Sequence, residues 1–229
     1  MKLPYKVNPQ FELLLVAVAS APALASVYFY RRFPDRVPTH WNASGQADGW
    51  SGPEFAAFFF PALIFGLYLL LLLLPVIDPQ KDRYREFGRA YRIMRLAVVA
   101  FLSVIYFVSS LIGIGHDIPI NRIILPSLGV MFITLGNFMP KFKKNWFVGI
   151  RTPWTLSSEK VWNQTHRLGG KAFMAVGAAC LLATFASPKT SFTLVVGTAI
   201  GASLLTAAYS WWLWRNLPPH ERDVTPKVN

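Results

Sequence analysis

Long apolar runs alternate with short polar segments along the whole chain. One of these runs contains the uncharged stretch LIFGLYLLLLLLPVI. Apolar runs of this kind match the roughly 20 helical residues needed to cross a hydrocarbon core, although the shorter ones require a thin or tilted placement. The pattern predicts an all-α polytopic bundle of six transmembrane helices. We place the spans at 11–30, 55–77, 96–114, 123–139, 172–187 and 192–214.

The first apolar run permits two interpretations. Lys2 and Lys6, followed by an apolar stretch and Ala-Leu-Ala at 23–25, resemble a secretory signal with its cleavage site. The run stays apolar to residue 30 before it turns basic, whereas a cleaved signal more often turns polar after its cleavage site. We therefore expect the first run to be retained as a span.

Charge gives the predicted bundle an orientation. The chain carries a net charge of +12, which on its own would be compatible with a nucleic-acid partner. The cations, however, lie in short segments between apolar runs, where they act as topology signals. In the six-span arrangement, 18 Lys and Arg fall on one side and five on the other. The positive-inside rule then places both termini in the cytoplasm, and we expect no direct nucleic-acid contact.

The segment between the first two runs is dense in turn formers. His40 and Asp48 within it are candidates for a ligand pair or a proton-sensitive contact. The alternative is a compact extracellular loop held by its own hydrogen bonds. One His and two Asp fall short of a metal site, and Cys180 is the single cysteine, so no metal, cofactor or disulfide is expected. The candidate residues are Pro38, His40, Asn42, Gly45, Asp48 and Gly49.

Two basic segments are predicted on the cytoplasmic side. Residues 78–95 mix both signs of charge, which favours a helical extension anchored on anionic lipid headgroups. In the second segment, between spans four and five, a short helix is predicted to begin at Ser157 and to end at Gly169-Gly170. Its apolar and polar faces predict a helix lying in the membrane interface.

The second basic segment is more polar than an anchor requires, so a binding surface and a structural anchor both remain open. Lys144, Arg151 and Arg167 are candidates for holding an anionic group such as a lipid phosphate. In the membrane, Gly197 and Gly201 form a GxxxG spacing, as Ala175 and Ala179 do in the preceding span. We expect these small residues to form an internal interface between spans five and six rather than a homodimer.

The second basic segment resembles the SdpI family, bacterial membrane proteins that confer immunity to a secreted toxic peptide. The residues that carry the resemblance are Gly136-Asn137, Met139-Pro140-Lys141, Asn145, the block 149–158, Val161-Trp162 and Thr165-His166-Arg167. The outer loop, through the six candidate residues named above, is similar to a domain of unknown function often found ahead of the SdpI region. The division implied is residues 1–80 and residues 81–229.

The resemblance implies an immunity and signalling protein that meets a peptide toxin on its outer side or in the bilayer. It also implies that the cytoplasmic loops hold a transcriptional repressor at the membrane, with membrane lipid as a further partner. The binding residues implied are Asn137, Pro140, Lys141, Lys144, Asn145, Gly149, Arg151, Thr152, Pro153, Trp154, Ser157, Trp162, Thr165, His166 and Arg167.

Two other functions remain as alternatives. A small-molecule or lipid transporter is disfavoured because the spans carry almost no ionisable residues, and Glu12 and His116 lie near span ends where they can reach the interface. An intramembrane enzyme would have to use His166 or His40, but no Ser/His/Asp set, HExxH or paired carboxylate is present. We therefore expect no enzymatic activity.

Overall fold

The computed structural model describes residues 3–222 and is mostly helical. Lys2 and Lys227, which contribute to the charge count, lie outside the described residues. The strands are β1 (Val37–Trp41) and β2 (Ala47–Ser51). The helices are α1 (Pro9–Tyr30), α2 (Phe60–Ile77), α3 (Tyr84–Gly113), α4 (Asn121–Phe138), α5 (Pro153–Ser157), α6 (Glu159–Ala183), α7 (Pro188–Arg215) and α8 (Pro219–Arg222).

Five helical segments are long and apolar enough to cross a membrane, as expected for a membrane protein. They contain α1, α2, α3, α4 and α7. The α6 helix is also long, at 25 residues, but its first half is polar, so six spans stay a prediction. The α7 helix exposes Ile200, Leu204 and Trp212 by half or more, which fits a face turned towards lipid.

The α3 helix is the centre of the bundle. It packs against α1 and α2 as well as against α4, and its 30 residues extend about 45 Å. The helix begins at Tyr84, so the predicted helical extension of the third span is confirmed. A short 3₁₀ turn, Lys81–Arg83, joins it to the end of α2. The extension is not a free lipid anchor, because Tyr84, Tyr91 and Arg95 are buried.

Hydroxyl groups of α3 compensate for three prolines in neighbouring segments. Proline has no N–H, so it leaves the carbonyl four residues earlier without its helical partner. The Ser103 hydroxyl lies 3.2 Å from the Val18 carbonyl, the group freed by Pro22. Its single proton is shared with the Val99 carbonyl of α3, at 2.9 Å. The other two pairs follow the same rule, so α3 is fixed to both helices by backbone groups that need a partner. The Tyr106 hydroxyl donates at 3.2 Å to the Ala57 carbonyl, which lies four residues before Pro61. The Tyr91 hydroxyl donates to the Leu71 carbonyl, which lies four residues before Pro75.

A charged pair lies between α1 and α3. The Arg95 side chain is completely buried and donates to both carboxylate oxygens of Glu12, at 2.7 and 3.0 Å. It also donates to the Tyr5 hydroxyl at 3.1 Å. The sequence did not reveal this partner, and the placement of Glu12 at the interface stays a prediction. A buried cation in a low-dielectric interior needs a counter-ion, and Glu12 supplies it.

Glycines bring α4 and α6 into backbone contact. A Cβ at Gly136 would lie 2.5 Å from the Gly170 carbonyl oxygen, and one at Gly177 would lie 2.6 Å from that of Gly129. The prediction that a helix ends at Gly169-Gly170 is wrong, because these buried glycines form a contact surface inside the continuous helix α6. The predicted interface between the segments placed as spans five and six is present, because α6 packs against α7. It does not involve the GxxxG pair, since no atom of a neighbouring element lies within 4 Å of a Cβ placed at Gly197 or Gly201.

The outer segment is an antiparallel hairpin, so the fold is not all-α. The β1 and β2 strands pair from Val37 with Ser51 to Trp41 with Ala47, with irregular register around His40. Pro38 obscured this element in the sequence, because a proline inside a short run argues against a strand. An irregular two-stranded ribbon at the edge of the fold accommodates it.

Candidate functional site

Polar residues gather at opposite ends of α3, in the hairpin and in the segment that follows α4. The tip of the hairpin is organised by Asn42, whose side-chain oxygen accepts from the backbone N–H of Ser44 at 2.9 Å and of Gln46 at 3.1 Å. Gly45 has φ +77, the left-handed conformation that favours glycine. The tip also contacts α4, where the Asn121 amide donates to the Ala43 carbonyl at 3.4 Å.

His40 and Asp48 lie side by side across the hairpin. The His40 Nδ1 is 2.6 Å from an Asp48 carboxylate oxygen, and both side chains are substantially exposed. A glycine is required at position 49, which pairs with His40 across the hairpin, because a Cβ there would lie 2.9 Å from the His40 Cβ. Within residues 3–222, no group of three or more His, Cys, Asp or Glu side chains is placed to hold a metal ion.

A cavity of about 400 Å³ lies beneath the hairpin. Its walls are apolar and come from α2, α3 and the start of α4, for example Leu63, Ile105 and Ile124. The polar lining includes His40 and Asn121 at the hairpin end. The chain enters α2 through a π-helical turn, Phe55–Phe59, beside this cavity. Such turns occur frequently at functional sites.

The opposite end of the bundle is the basic loop, which we define as residues 139–158. Asn145 is completely buried at its centre. Its side-chain oxygen accepts from the N–H of Phe147 at 2.9 Å and of Val148 at 2.7 Å, and its amide donates to the Lys143 and Val148 carbonyls. Asn145 therefore fixes the path of the loop.

Asp78 connects the basic loop to the end of α2. This carboxylate is buried and accepts from the Tyr84 hydroxyl at 3.0 Å and from the Trp146 backbone N–H at 3.1 Å. Asp78 belongs to the segment 78–95, whose charge pattern predicts a position at lipid headgroups, and its role in this site was missed. A single acid directly after an apolar run was the available signal, but nothing local showed what it contacts.

An ion pair joins the starts of α3 and α6. The Arg83 guanidinium makes two hydrogen bonds to the Glu159 carboxylate, at 2.7 and 3.0 Å. Arg83 holds the pKa of Glu159 below its usual range. The pKa of the neighbouring Lys144 is lowered by burial and by the charge of Arg83. The basic loop, α3 and α6 thus form one connected polar assembly.

His166 is part of the interior of this assembly. Its Nδ1 donates to the Trp162 carbonyl at 2.8 Å, and its Nε2 accepts from the Ile150 backbone N–H at 3.0 Å. Both roles fit the neutral ring, and burial lowers its pKa to about 4. Gly149, at φ +117, lies so close that a Cβ would overlap the imidazole. With both nitrogens engaged, His166 is not placed as an exposed catalytic base.

A capping box organises the end of the basic loop. The Thr152 hydroxyl accepts from the Thr155 N–H, and the Thr155 hydroxyl accepts from the Thr152 N–H. The resulting short helix α5 ends at Ser157, and Ser158 caps α6. The prediction that an interfacial helix begins at Ser157 is therefore wrong, since this residue closes one helix just before the next begins.

The predicted residues of the basic segment divide into three groups by exposure. Asn145, Trp162, Thr165 and His166 are fully buried, and the side chains of all but Thr165 form hydrogen bonds within the assembly. Lys144, Thr152, Trp154 and Ser157 are half-buried. The exposed group forms the surface that a ligand can reach from outside; its members are Asn137, Pro140, Lys141, Gly149, Arg151, Pro153 and Arg167.

Comparisons with known proteins match both ends of the bundle. Residues 141–210 match the model of the SdpI/YfhL protein family, and residues 17–65 match a domain of unknown function (DUF1648). The chain is 24% identical over 205 residues to the Immunity protein SdpI of Bacillus subtilis (strain 168), covering 90% of this chain and 96% of that protein. No solved structure matches.

These matches fall on the residues that carry the sequence resemblance. The family-model region contains most of the basic loop and α6, and the DUF1648 region contains the hairpin. The resemblance to the SdpI family is therefore confirmed, by its family model over residues 141–210 and by an immunity protein similar along nearly the whole chain.

Proposed function

We propose that this chain is a membrane immunity protein that protects its cell from a secreted peptide toxin and signals its presence to the cytoplasm. The observation that carries the proposal is the similarity to the Immunity protein SdpI over 90% of the chain, which includes both polar ends. No catalytic step is assigned to the chain.

In this proposal the protein spans a bacterial plasma membrane six times, with residues 172–187, which include the second half of α6, as the fifth span and with both termini in the cytoplasm. The distribution of 18 cations on one side and five on the other supports this orientation. The hairpin and its cavity then face outwards, and the basic loop faces the cytoplasm. The α4–α6 glycine contacts support α6 as a span, because close packing of small residues is typical of helices in bilayers.

The toxin site is assigned to the hairpin end. Pro38, His40, Asn42, Gly45, Asp48 and Gly49 shape the hairpin that covers the apolar cavity. A hydrophobic peptide partitions into or near the bilayer, and there it would meet polar hairpin groups beside apolar helix walls. Residues 1–80 form the outward sensing part in this proposal.

The repressor site is assigned to the exposed part of the basic loop and the neighbouring turn of α6, within residues 81–229. Arg151 and Arg167 provide exposed cations there, and Pro140 and Pro153 border the same segment. The buried hydrogen bonds that Asn145, Asp78 and His166 each form with the loop backbone hold this surface in one conformation. Anionic lipid headgroups are its second partner, because exposed cations next to a membrane attract them.

The α3 helix provides a physical connection between the two sites. Gly113 at its end is packed so closely against Val37 of β1 that a Cβ would lie 2.9 Å from that side chain. Tyr84 at its start contacts Asp78, which binds the basic loop. A displacement of the hairpin therefore acts on α3, whose backbone departs from helical geometry at Phe87 before it reaches the basic loop.

A second candidate function is binding or transport of a lipid or small molecule. The cavity of about 400 Å³ favours it, because cavities of this size commonly hold small ligands. The buried Arg95–Glu12 pair also favours it, since charges inside a helix bundle often mark transport pathways.

Expression in a toxin-sensitive bacterium tests the proposal. The cells receive this chain, the B. subtilis immunity protein or an empty vector, and all are challenged with the toxin against which that relative gives immunity. We expect growth with this chain and with the relative. Full sensitivity of cells that carry the chain in their membranes would contradict immunity to that toxin, and substrate flux in proteoliposomes would favour transport.

A further inference from the structure

The edge of β1 lies against the cavity under the hairpin. All five residues of β1 line the cavity, and none of β2 does. Successive side chains of a strand point to opposite faces, so a cavity bordered by every residue of a strand lies beside its edge rather than under one face. The edge is the one that β2 leaves free, because β2 occupies the other.

This edge has unpaired backbone groups. The sheet has two strands, and within the described part of the chain no hydrogen bond from outside the hairpin reaches the backbone of Val37–Trp41. Alternate residues of a strand direct their backbone groups to opposite edges, so only part of the N–H and C=O groups of β1 face this edge, and Pro38 has no N–H to donate. An unpaired strand edge is a template for a further strand, because its N–H and C=O groups are already spaced for pairing.

The size of the cavity limits what can fill it. An apolar cavity of about 150 Å³ holds a benzene molecule, so this one accommodates two or three groups of that size. One turn of a helix with its side chains, about 10 Å across and about 5.4 Å long, already occupies roughly this volume, so no longer helix is accommodated. Leu63, Ile105 and Ile124 offer an apolar environment to alternate side chains of an extended segment.

We propose that β1 binds an extended, uncharged, apolar peptide segment as a third strand, with alternate side chains of that segment in the cavity. The peptide supplies backbone donors and acceptors for the strand edge, which an acyl chain does not have. Main-chain bonds and side-chain pockets together are the basis of strand-addition recognition. This inference rests on the proposed function insofar as the peptide is a toxin.

Photo-cross-linking to the full chain in lipid nanodiscs tests the inference. The probe is a capped seven-residue peptide of alternating leucine and serine, with a diazirine leucine at its centre. One control probe carries the same side chains on N-methylated amides, and another is a diazirine-labelled stearic acid. The cavity variant is Ile105→Trp, and the matched control is Leu204→Trp, on the exposed face of α7.

We expect saturable cross-linking of the peptide to α2 and α3 at the cavity. The yield should fall at least about tenfold with N-methylation, which removes several hydrogen bonds, and with Ile105→Trp, but not with Leu204→Trp. Equal cross-linking by the N-methylated probe would overturn strand addition. Labelling of the cavity by stearic acid but not by the peptide would instead identify a lipid site.

The growth assay distinguishes a failure of strand addition from a failure of the immunity function. If the unmodified chain protects cells while the peptide probe does not cross-link at the cavity, strand addition fails and the immunity function stands. If the probe binds as expected while the chain gives no protection, the immunity function fails for that toxin and the peptide site stands.

Discussion

The Tyr91 hydroxyl of α3 donates a hydrogen bond to the Leu71 carbonyl of α2, the group that Pro75 leaves without a partner in its own helix. Two further prolines are compensated by α3 in the same way. These contacts fix α3 to α1 and to the segment that forms α2. The stability of the bundle therefore depends on specific hydroxyls as well as on apolar packing.

Tyr91→Phe should destabilise the protein by about 1–3 kcal/mol, because it leaves a buried carbonyl without a donor. In a Pro75→Ala background the cost should be smaller, since the introduced alanine donates its own backbone N–H to the Leu71 carbonyl. A double-mutant cycle on unfolding in detergent measures the difference. Additive effects of the two substitutions would contradict the explanation.

Removing one member of the Glu12–Arg95 pair should lower the free energy of unfolding more than Tyr91→Phe does. Glu12→Gln leaves the buried guanidinium without a counter-ion, and we expect a loss of roughly 3–5 kcal/mol in unfolding free energy. The double variant Glu12→Gln, Arg95→Met should recover a large part of that loss. An unfolding curve of Glu12→Gln that coincides with that of the unmodified protein would show that the pair is not a buried contact.

Gly136→Ala should disrupt the contact between α4 and α6. Its Cβ would lie 2.5 Å from the Gly170 carbonyl, so the helices must separate, at a cost of about 1–3 kcal/mol. The matched control is Gly197→Ala, which has open space at the Cβ position and a better helix former. The midpoint of thermal unfolding should be well below that of Gly197→Ala for the Gly136→Ala variant. Equal midpoints would contradict the close contact.

His166 should make the stability depend on pH. Its pKa is about 4 in the folded protein and about 6.5 when unfolded, so the unfolded state binds the proton first as pH falls. The stabilisation that the neutral His166 ring contributes is fully present above about pH 6.5. It is lost between there and about pH 4, which lowers the free energy of unfolding by an amount on the order of 3 kcal/mol.

The His166→Gln variant is the control for this pH dependence. It should be less stable near neutral pH, because the glutamine side chain does not reproduce the geometry of the ring. Its unfolding midpoint should also fall less between about pH 6.5 and about pH 4. Parallel pH profiles of the two proteins would show that another group dominates in this range.

The sequence predicted the membrane character and the helical start of α3, because apolar clustering and charge spacing are local properties. It did not predict that Glu12 meets Arg95, since the two are distant in the chain and their contact arises from packing. Nor could it tell whether Asn145 and His166 bind a ligand or stabilise the interior. A polar residue selected for either role has the same sequence signature, and only burial distinguishes the two.

The hairpin, too, could be predicted only in part from the sequence. Its turn residues were visible, but Pro38 argued against a strand and the cavity beneath it is formed by three separate helices. Conversely, the GxxxG pair gave a clear small-residue signal for an interface that these glycines do not form. The glycines that do bring helices together, such as Gly136 and Gly170, belong to different elements.

The toxin concentration that halves growth is the most direct test of the central claim. It is measured in matched sensitive strains that carry an empty vector, the unmodified chain or Gly49→Val, with membrane levels of both proteins compared. Immunity predicts a clear increase with the unmodified chain and a smaller one with Gly49→Val, whose side chain meets His40 in the hairpin. Coincident dose–response curves for the vector and the unmodified chain, at normal membrane levels, would contradict the account.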